Sequence, residues 1–293
     1  MCAGCGVPVI VRQALKVSEH PIVVANATGC LEVASTIYPY TSWSIPWIHS
    51  AFENAAATIS GVESMYKVLR KRGKLDKKIK FLAFGGDGGT YDIGIQALSG
   101  AIERGHDFLY ICYNNEAYMN TGIQRSSATP KASSTTTSPV GDVIVGKREY
   151  QKDLTRIIAA HKIYTAQASP SEISDFTSKV KKGIDVDGPA FINIIAPCPR
   201  GWRSPTEMSI RLARLSVKTC FWPLYEVEDE DFKLTSLSKN IAEGRREKLP
   251  LIEYIKYQGR FKHLLSEKNK KLLSEISERV DREWEKLMSI CGY

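Results

Sequence analysis

Four short apolar runs along the chain predict buried β-strands. They are residues 21–25, 79–84, 108–113 and 190–195. Longer segments between them repeat apolar residues every three or four positions, the spacing of amphipathic helices; these segments are 51–72, 92–104, 150–161 and 170–182. Strands that alternate with helices are typical of βαβ units around a parallel sheet. The pattern therefore predicts an α/β fold with a mostly parallel, doubly wound sheet.

Two segments depart from this alternation. Residues 122–149 are rich in Ser, Thr, Pro and Gly and contain few apolar residues, so we expect a long surface loop that is either functional or disordered. From about residue 225 the chain becomes strongly charged, with apolar residues at helical spacing. We therefore predict a main domain at 1–225 and a charged, mainly helical C-terminal extension at 226–293. This extension is expected to pack on the body or on a partner subunit.

Composition is that of a soluble globular protein, with 43% apolar and 25% charged residues. No run approaches the roughly 18 apolar residues of a membrane span, and the first residues lack the basic start and long apolar run of a signal peptide. The seven cysteines are an odd number, which argues against a disulfide framework. We therefore expect a cytoplasmic protein with no membrane partner, whose cysteines are buried or bind metal.

The formal charge of +8 would suit nucleic acid, anionic lipid or an acidic protein, because each responds to long-range electrostatic attraction. Much of the excess lies in the last sixty residues, for example at 245–248 and 268–271. No alternation of aromatic and basic residues indicates base stacking there. A solvated helical face is therefore favoured over a docking patch, and no nucleic-acid partner is expected.

Residues 82–94, LAFGGDGGTYDIG, join an apolar run to a glycine-rich turn and the start of a helix. In open α/β sheets ligands bind beyond the carboxyl ends of the strands, where a helix N-terminus attracts an anion and glycine permits close approach. A carboxylate in such a turn repels phosphate unless a cation lies between them. Asp87 is therefore a candidate Mg²⁺ ligand bridging to a diphosphate. The alternative is a tight turn in which Asp87 only caps the helix.

The loop after the next apolar run supplies further oxygen ligands. Residues 113–122 read YNNEAYMNTG, and Asn115 follows Asp87 by 28 positions, one βαβ traverse. Gly-Asp-Gly followed at this distance by Asn-Asn resembles the thiamine diphosphate motif of the transketolase-like enzymes. The resemblance implies that Asp87, Asn115 and the main-chain carbonyl of Ala117 hold Mg²⁺. It also implies a group of glycines beside the phosphates: Gly86, Gly88 and Gly89.

The cysteines add a second candidate site. Cys2 and Cys5 form a C-x₂-C pair, which can bind zinc, bind an iron–sulfur cluster or act as a redox dithiol. Cys30 and Cys198 each follow a predicted strand, so both are expected at the same sheet edge as Asp87. A close pair with two single cysteines is consistent with a [4Fe–4S] cluster, whereas zinc sites more often use two close pairs.

Taken together, CAGCG, TGC, GDGGTYDIG, NNEAYMNTGIQ and APCP resemble the beta subunits of the 2-oxoacid:ferredoxin oxidoreductases. The run CFWPLYEVE, ending at residue 228, resembles the pyruvate branch of that family. The resemblance implies four ligands to a [4Fe–4S] cluster: Cys2, Cys5, Cys30 and Cys198. Cys220 is the rival for the fourth position, but it precedes Phe-Trp-Pro and is expected to be buried.

Relatives usually carry several residues before the first cysteine, often including Gly-His. This chain begins Met1-Cys2, so the first cluster ligand is expected in a frayed segment. The same resemblance places Asn120 near the cofactor and the substrate, as the catalytic residue of this chain. It implies further residues beside the cofactor: Thr28, Gly29, Cys30, His49 and Thr121. The alternatives are a turn-forming Asn-Thr-Gly and a structural histidine.

The implied activity is the reversible oxidative decarboxylation of pyruvate, with coenzyme A, to acetyl-CoA and CO₂. Electrons would pass through the [4Fe–4S] cluster to ferredoxin, with thiamine diphosphate and Mg²⁺ as the other cofactors. In this family the acid that activates thiamine and the arginine that binds the substrate lie on the alpha subunit. The chain is therefore expected to be half of an active site, in a complex with alpha and with gamma and delta subunits. Glu116 is not expected to replace the missing acid.

Three alternatives remain at this stage. One is the same chemistry on 2-oxoglutarate, a branched-chain 2-oxoacid or oxalate, because substrate choice depends largely on the alpha subunit. Another is a cluster-free thiamine diphosphate decarboxylase component whose cysteines are buried or bind zinc. The last is a basic interaction protein without enzymatic activity.

Overall fold

The computed structural model describes all 293 residues and confirms the predicted α/β fold. Its strands are β1 Ile22–Ala27, β2 Trp47–Ser50, β3 Lys80–Gly86, β4 Leu109–Asn114, β5 Tyr164–Ala168, β6 Ala190–Ile195, β7 Tyr225–Glu228 and β8 Asp231–Leu234. They form one sheet in the order β2-β1-β3-β4-β6-β5-β7-β8. The first six strands run parallel, while β7 pairs antiparallel with β5 and β8 antiparallel with β7.

Helices cover both faces of this sheet. They are α1 Val7–Val17, α2 Cys30–Ser35, α3 Ala55–Lys71, α4 Ile95–Glu103, α5 Leu154–Ala159, α6 Ile173–Asp185, α7 Pro199–Trp202, α8 Ser209–Lys218, α9 Ser236–Ala242, α10 Ile252–Ile255 and α11 Lys270–Ile290. One apolar core joins α1 and α6 to the strands, and a second joins α3, α4 and α5 to the opposite face. This two-sided burial is the doubly wound arrangement that the sequence pattern predicts.

Two strands of the parallel sheet carry no apolar run and were not predicted. The five residues of β5, YTAQA, are all buried, because β6 pairs with one edge of the strand and β7 with the other. Its polar residue Gln167 accepts a hydrogen bond from the Thr155 hydroxyl at 2.9 Å. The other missed strand, β2, is a short, half-exposed edge strand. Their burial depends on neighbouring strands rather than on their own composition.

Residues 122–149 contain no helix or strand, as predicted, but they are not a surface loop throughout. Ser126, Thr129 and Lys147 are buried. The Lys147 ammonium donates hydrogen bonds to the carbonyls of Ser127 at 3.2 Å and Thr129 at 2.6 Å. Buried irregular backbone needs such partners, so Lys147 permits the first half of the segment to lie inside the molecule.

The C-terminal extension differs from the prediction at its start, where β7 and β8 form a hairpin that widens the sheet. Helices dominate only after Leu234. Its apolar side chains pack on the body, since Leu237 and Trp284 share one core with Leu212 and Trp222. The domain division at residue 225 stays a prediction. None of the helices combines the length and the hydropathy that crossing a membrane would require.

Candidate functional site

The carboxyl ends of β1, β3 and β4 meet at one edge of the sheet and form a small cleft. Its lining consists of Thr28, Gly29, Cys30, Phe52, Gly86, Asp87, Gly88, Gly89, Tyr113, Asn115, Ala117, Tyr118, Met119, Asn120 and Thr121. Every residue predicted beside the cofactor is present except His49. The cleft encloses a cavity volume of only about 30 Å³, far below the roughly 300–1,000 Å³ of a typical ligand pocket. It is therefore one wall of a binding site rather than a complete pocket.

Asp87 lies at the base of the cleft, directly after β3, and is 1% exposed. Its carboxylate accepts hydrogen bonds from the Ser126 hydroxyl at 2.5 Å and the Asn115 main-chain N–H at 3.3 Å. No lysine or arginine forms an ion pair with it. Burial, together with a smaller contribution from the nearby Glu116 carboxylate, raises the pKa of Asp87 to about 7. A buried carboxylate without a basic partner indicates that a cation belongs beside it.

The side chain of Asn115 faces two other oxygen ligands. In the orientation that satisfies its neighbours, the Asn115 N–H₂ donates to Asp87 Oδ1 at 3.0 Å and to the carbonyl oxygen of Ala117 at 2.9 Å. The Asn115 carboxamide therefore lies between the other two candidate ligands. Turning the amide over would present its oxygen to a bound cation, and Mg²⁺ prefers oxygen ligands at about 2.1 Å in octahedral geometry, with neighbouring ligands about 3 Å apart.

These observations fit a Mg²⁺ site made by the three predicted ligands. Asp87 supplies the charge, Asn115 the amide oxygen and Ala117 the carbonyl oxygen. The hydroxyl of Tyr113 lines the same cleft, is buried and has no hydrogen-bond partner in the protein. An unpartnered buried hydroxyl costs free energy, so this group also points to a ligand that completes the cleft.

Glycine is required at position 88 because the backbone there lies against the ring of Tyr118. A Cβ atom at Gly88 would overlap the ring atoms of Tyr118, which itself stacks on Phe52 at a centroid distance of 5.6 Å. We expect Gly88→Ala to displace Tyr118 and to weaken thiamine diphosphate binding about tenfold, the order of an overpacking penalty. Calorimetric titration of the reconstituted complex measures this.

The matched control is Gly61→Ala, in helix α3, where an added Cβ meets no atom within 4 Å. That substitution should leave cofactor affinity unchanged and stabilise the helix by about 0.5–1 kcal/mol. Equal cofactor affinity in the two variants would contradict the role given to Gly88.

The rim of the cleft carries the remaining predicted residues. Asn120 and Thr121 are exposed, and the Thr121 hydroxyl donates to Gln124 Oε1 at 2.6 Å. His49 lies behind the lining: its Nε2 is 2.8 Å from the Thr28 hydroxyl and 3.9 Å from Glu32 Oε2. His49 therefore contacts a cleft residue without lining the cleft.

The four predicted cluster cysteines lie within electrostatic reach of one another, and Cys30 lines the cleft. Burial, with smaller contributions from the Cys198 and Cys2 thiols, raises the pKa of Cys5 to about 11. Burial, with smaller contributions from Cys198 and Cys5, likewise raises the pKa of Cys30 to about 11. The Asp87 carboxylate also raises the pKa of Cys30, so the thiols and the oxygen ligands are within electrostatic reach of each other.

The short N-terminal segment is held beside Cys198 by its main chain. The Cys5 N–H donates to the Cys2 carbonyl at 3.1 Å, and the Gly6 N–H donates to the Pro197 carbonyl at 3.0 Å. A Cβ atom on Gly4 would overlap the main chain of Thr206. Cys2 itself is exposed. Cys5 is therefore anchored, and fraying at Cys2 stays a prediction.

Two observations bear on the nature of the cysteine group. No set of three or more His, Cys, Asp or Glu side chains converges closely enough to hold a single metal ion. Cys220 lies elsewhere: it is buried in the core beneath the C-terminal extension, where burial raises its pKa to about 12.

Several site residues were missed by the sequence analysis. Ser126, which binds Asp87, lies in the segment expected to be a surface loop. Trp202 donates its indole N–H to the main-chain carbonyl of Asn115 at 2.9 Å, and nothing in its sequence context indicates this contact. Tyr113 and Tyr118 lie in the YNNEAYMNTG run. Their sequence positions beside the candidate metal ligands could have indicated that they line the cleft.

Comparison with known proteins agrees with this geometry. Residues 27–194 match the family model "Thiamine pyrophosphate enzyme, C-terminal TPP binding domain". Pyruvate synthase subunit PorB of Thermotoga maritima is 49% identical over 99% of this chain and 90% of the relative. The protein of the same name from Methanocaldococcus jannaschii is 53% identical over 95% of this chain and 92% of the relative.

A more distant relative and a solved structure extend the comparison. Ketoisovalerate oxidoreductase subunit VorB of Pyrococcus abyssi is 41% identical over 99% of this chain and 90% of the relative. A chain of 2-oxoglutarate:ferredoxin oxidoreductase from Magnetococcus marinus shares the fold, with a TM-score of 0.58 at 19% identity over 93% of this chain and 90% of that one. With the family model over more than half of its length and relatives about half identical over nearly all of it, the chain belongs to the thiamine pyrophosphate enzymes and, among them, to the pyruvate synthase PorB family.

Proposed function

We propose that this chain is the beta subunit of a pyruvate:ferredoxin oxidoreductase that carries thiamine diphosphate, Mg²⁺ and a [4Fe–4S] cluster. The complex would convert pyruvate and coenzyme A to acetyl-CoA and CO₂, reversibly, and transfer two electrons to ferredoxin. The observation that carries the proposal is the position of the Asn115 carboxamide, within 3.0 Å of both the Asp87 carboxylate and the Ala117 carbonyl, beside four thiols that influence one another electrostatically. A cation site next to an electron-accepting site is what this reaction requires.

Each part of the cleft has a role in holding the cofactor. Thiamine diphosphate, when bound, supplies the electron sink that makes decarboxylation of a 2-oxoacid possible. Asp87, Asn115 and Ala117 would hold Mg²⁺, while Gly86, Gly88 and Gly89 leave room for the diphosphate. Further residues are placed to orient the reacting end of the cofactor and the substrate from the rim: Thr28, Gly29, Asn120 and Thr121. His49 would position Thr28 through its 2.8 Å contact.

The cysteines provide the route for the electrons. Cys2, Cys5, Cys30 and Cys198 would bind the [4Fe–4S] cluster, which accepts electrons one at a time. Cys30 lines the cleft itself. A cluster ligand in the wall of the cofactor site keeps the transfer distance short.

The cleft also indicates that the active site needs a second chain. It encloses little volume, and its only ionisable carboxyl group is Asp87. Glu116 does not supply another acid, because its side chain is 1% exposed and paired with Arg260. An alpha subunit would therefore bring the acid and the substrate-binding arginine, with gamma and delta subunits completing the complex. All seven cysteines are free, which fits the reducing cytoplasm.

Pyruvate is the proposed substrate because relatives named pyruvate synthase are 46–53% identical to this chain, against 41% for the ketoisovalerate relative. The test is turnover of the reconstituted complex with pyruvate, 2-oxoglutarate, 2-oxoisovalerate and oxalate at equal concentrations. We expect the highest kcat/KM for pyruvate. A preference for any of the other acids would contradict the assignment of pyruvate as the substrate, while the proposed reaction class would stay the same.

The cluster-free alternative is tested separately from the substrate. Iron, sulfide, zinc and thiamine contents of the anaerobically purified complex are measured together. We expect iron and sulfide with thiamine diphosphate. Thiamine diphosphate with zinc and no iron would support a decarboxylase component, and absence of thiamine diphosphate would contradict the proposed enzyme class.

A further inference from the structure

A single buried tryptophan connects the cysteine group to the oxygen ligands. Cys198 caps helix α7, and its sulfur accepts a hydrogen bond from the Gly201 N–H at 3.4 Å. Trp202 is the last residue of that helix and is fully buried. Its indole N–H donates to the main-chain carbonyl of Asn115 at 2.9 Å. One helical turn therefore begins at a candidate cluster ligand and ends on the main chain of a candidate Mg²⁺ ligand.

The C-terminal extension reinforces the same contact through Arg260. Its guanidinium lies 4.4 Å from the centre of the Trp202 ring and donates to Glu116 Oε2 at 2.5 Å. Glu116 directly follows Asn115 and has a φ of 69°, a backbone conformation that costs free energy for a residue other than glycine. Arg260 thus holds the residue after Asn115 in a conformation that it would not favour alone.

Neither Trp202 nor Arg260 lines the cleft, so neither contacts a ligand bound there. Both side chains of the Arg260–Glu116 pair are at most 2% exposed. A buried ion pair gains little stability over apolar packing, and its best-attested role is to specify one arrangement. The arrangement specified here is the loop that carries Asn115 and Ala117.

We infer that Trp202 and Arg260 are positioning residues that couple the two sites, so that a bound cluster favours binding of thiamine diphosphate and Mg²⁺, and the reverse. The inference rests on the proposed function. The Trp202 main-chain N–H donates to the Cys198 carbonyl at 2.8 Å, so a shift of Cys198 is transmitted through this turn to the Trp202 indole and to the Asn115 carbonyl. Coupling of this kind is reciprocal and typically amounts to about 5- to 150-fold in affinity.

The test uses the whole complex, purified anaerobically, with Trp202→Phe. Phenylalanine keeps a ring beneath Arg260 but removes the N–H, which leaves the Asn115 carbonyl without its partner. We expect the Kd for thiamine diphosphate in the presence of Mg²⁺ to rise about tenfold, with unchanged iron content. We also expect thiamine diphosphate to shift the midpoint potential of the cluster in the wild-type complex and to leave it unshifted in the variant.

Trp222→Phe is the matched control. The Trp222 indole also donates to a main-chain carbonyl, that of Ala168 at 2.8 Å, and its ring is buried in the same core. Trp222 does not line the cleft, and its indole bonds to strand β5 rather than to a candidate ligand, so we expect wild-type affinity and a wild-type shift in potential. Arg260→Lys, which keeps the charge but loses the planar group above Trp202, should change both readouts in the same direction as Trp202→Phe.

The outcomes separate this inference from the proposed function. Equal affinities in the two tryptophan variants would overturn the positioning role. A weaker affinity in Trp202→Phe with an undiminished shift in potential would overturn the coupling and leave only a local effect. If Trp202→Phe fails to assemble, Arg260→Lys decides by the same criteria. A wild-type complex that binds no thiamine diphosphate would instead remove the proposed function itself.

Discussion

Asp87→Asn should abolish cofactor binding by the complex. We expect the affinity for thiamine diphosphate and Mg²⁺ to fall by more than about 100-fold, since even residues that only hydrogen-bond a metal ligand contribute about 10- to 100-fold. Turnover should fall by at least as much. The physical reason is loss of the only carboxylate that faces the Asn115 and Ala117 oxygens. Calorimetric titration and steady-state turnover measure the two effects.

The same substitution should not harm the fold. The Asp87 carboxylate is buried without a basic partner, and asparagine removes that charge while keeping the shape. The metal-free variant is therefore expected to unfold at the same temperature as the wild-type complex or at a higher one. Loss of binding with loss of stability would indicate a structural role for Asp87.

Asp92→Asn is the control for Asp87→Asn. Asp92 ends the π-helical turn Gly88–Asp92 that follows Asp87, and it accepts a hydrogen bond from the Ser127 N–H at 3.1 Å. It does not line the cleft. We expect it to keep most of the cofactor affinity, and a comparable loss in both variants would argue against Asp87 as the metal ligand.

Cys198→Ser should remove the iron–sulfur cluster, while Cys220→Ser should retain it. In the first variant we expect iron to fall from about four atoms per subunit to near zero, with loss of the broad visible absorbance and of ferredoxin reduction. Cys198 lies with the other three candidate ligands. The residues that influence the Cys220 thiol are Lys248 and Asp281, and no other cysteine is among them.

Cys220→Ser is the control for Cys198→Ser, because each variant removes one buried or half-buried thiol. If Cys198→Ser retains iron and Cys220→Ser loses it, Cys220 is the fourth cluster ligand and Cys198 is not. Iron lost in both would indicate that folding rather than ligation had failed, which circular dichroism of each complex detects.

Strands with continuous apolar runs were predicted closely. Strand β6 matches the predicted 190–195 residue for residue, and β3 and β4 differ from the prediction by one or two residues at their ends. Strands β5 and β2 were not predicted, because the burial of a polar strand depends on the strands that flank it. The hairpin of β7 and β8 was not predicted for the same reason, since charged residues alternate along these strands at the edge of the sheet.

The candidate ligands were predictable because they follow strands that lie side by side. The glycine-rich turn after β3 and the Asn-Asn pair after β4 must share one edge of a parallel sheet, whatever the details of packing. The sequence analysis already preferred Cys198 to Cys220 as the fourth cluster ligand, and that assignment stays a prediction. The structure adds that Cys220 lies in the core beneath the C-terminal extension.

Apolar periodicity acts over a few residues, so local patterns along the chain predicted the class of fold. The spacing of the motifs indicated the sheet edge and the candidate ligands. The contacts that support these candidates are visible only in the folded molecule. Ser126 reaches Asp87 across 39 positions, Trp202 reaches Asn115 across 87 and Arg260 reaches Glu116 across 144. Contacts at such separations depend on how the layers of helices and the sheet pack together, so no local sequence pattern predicts them.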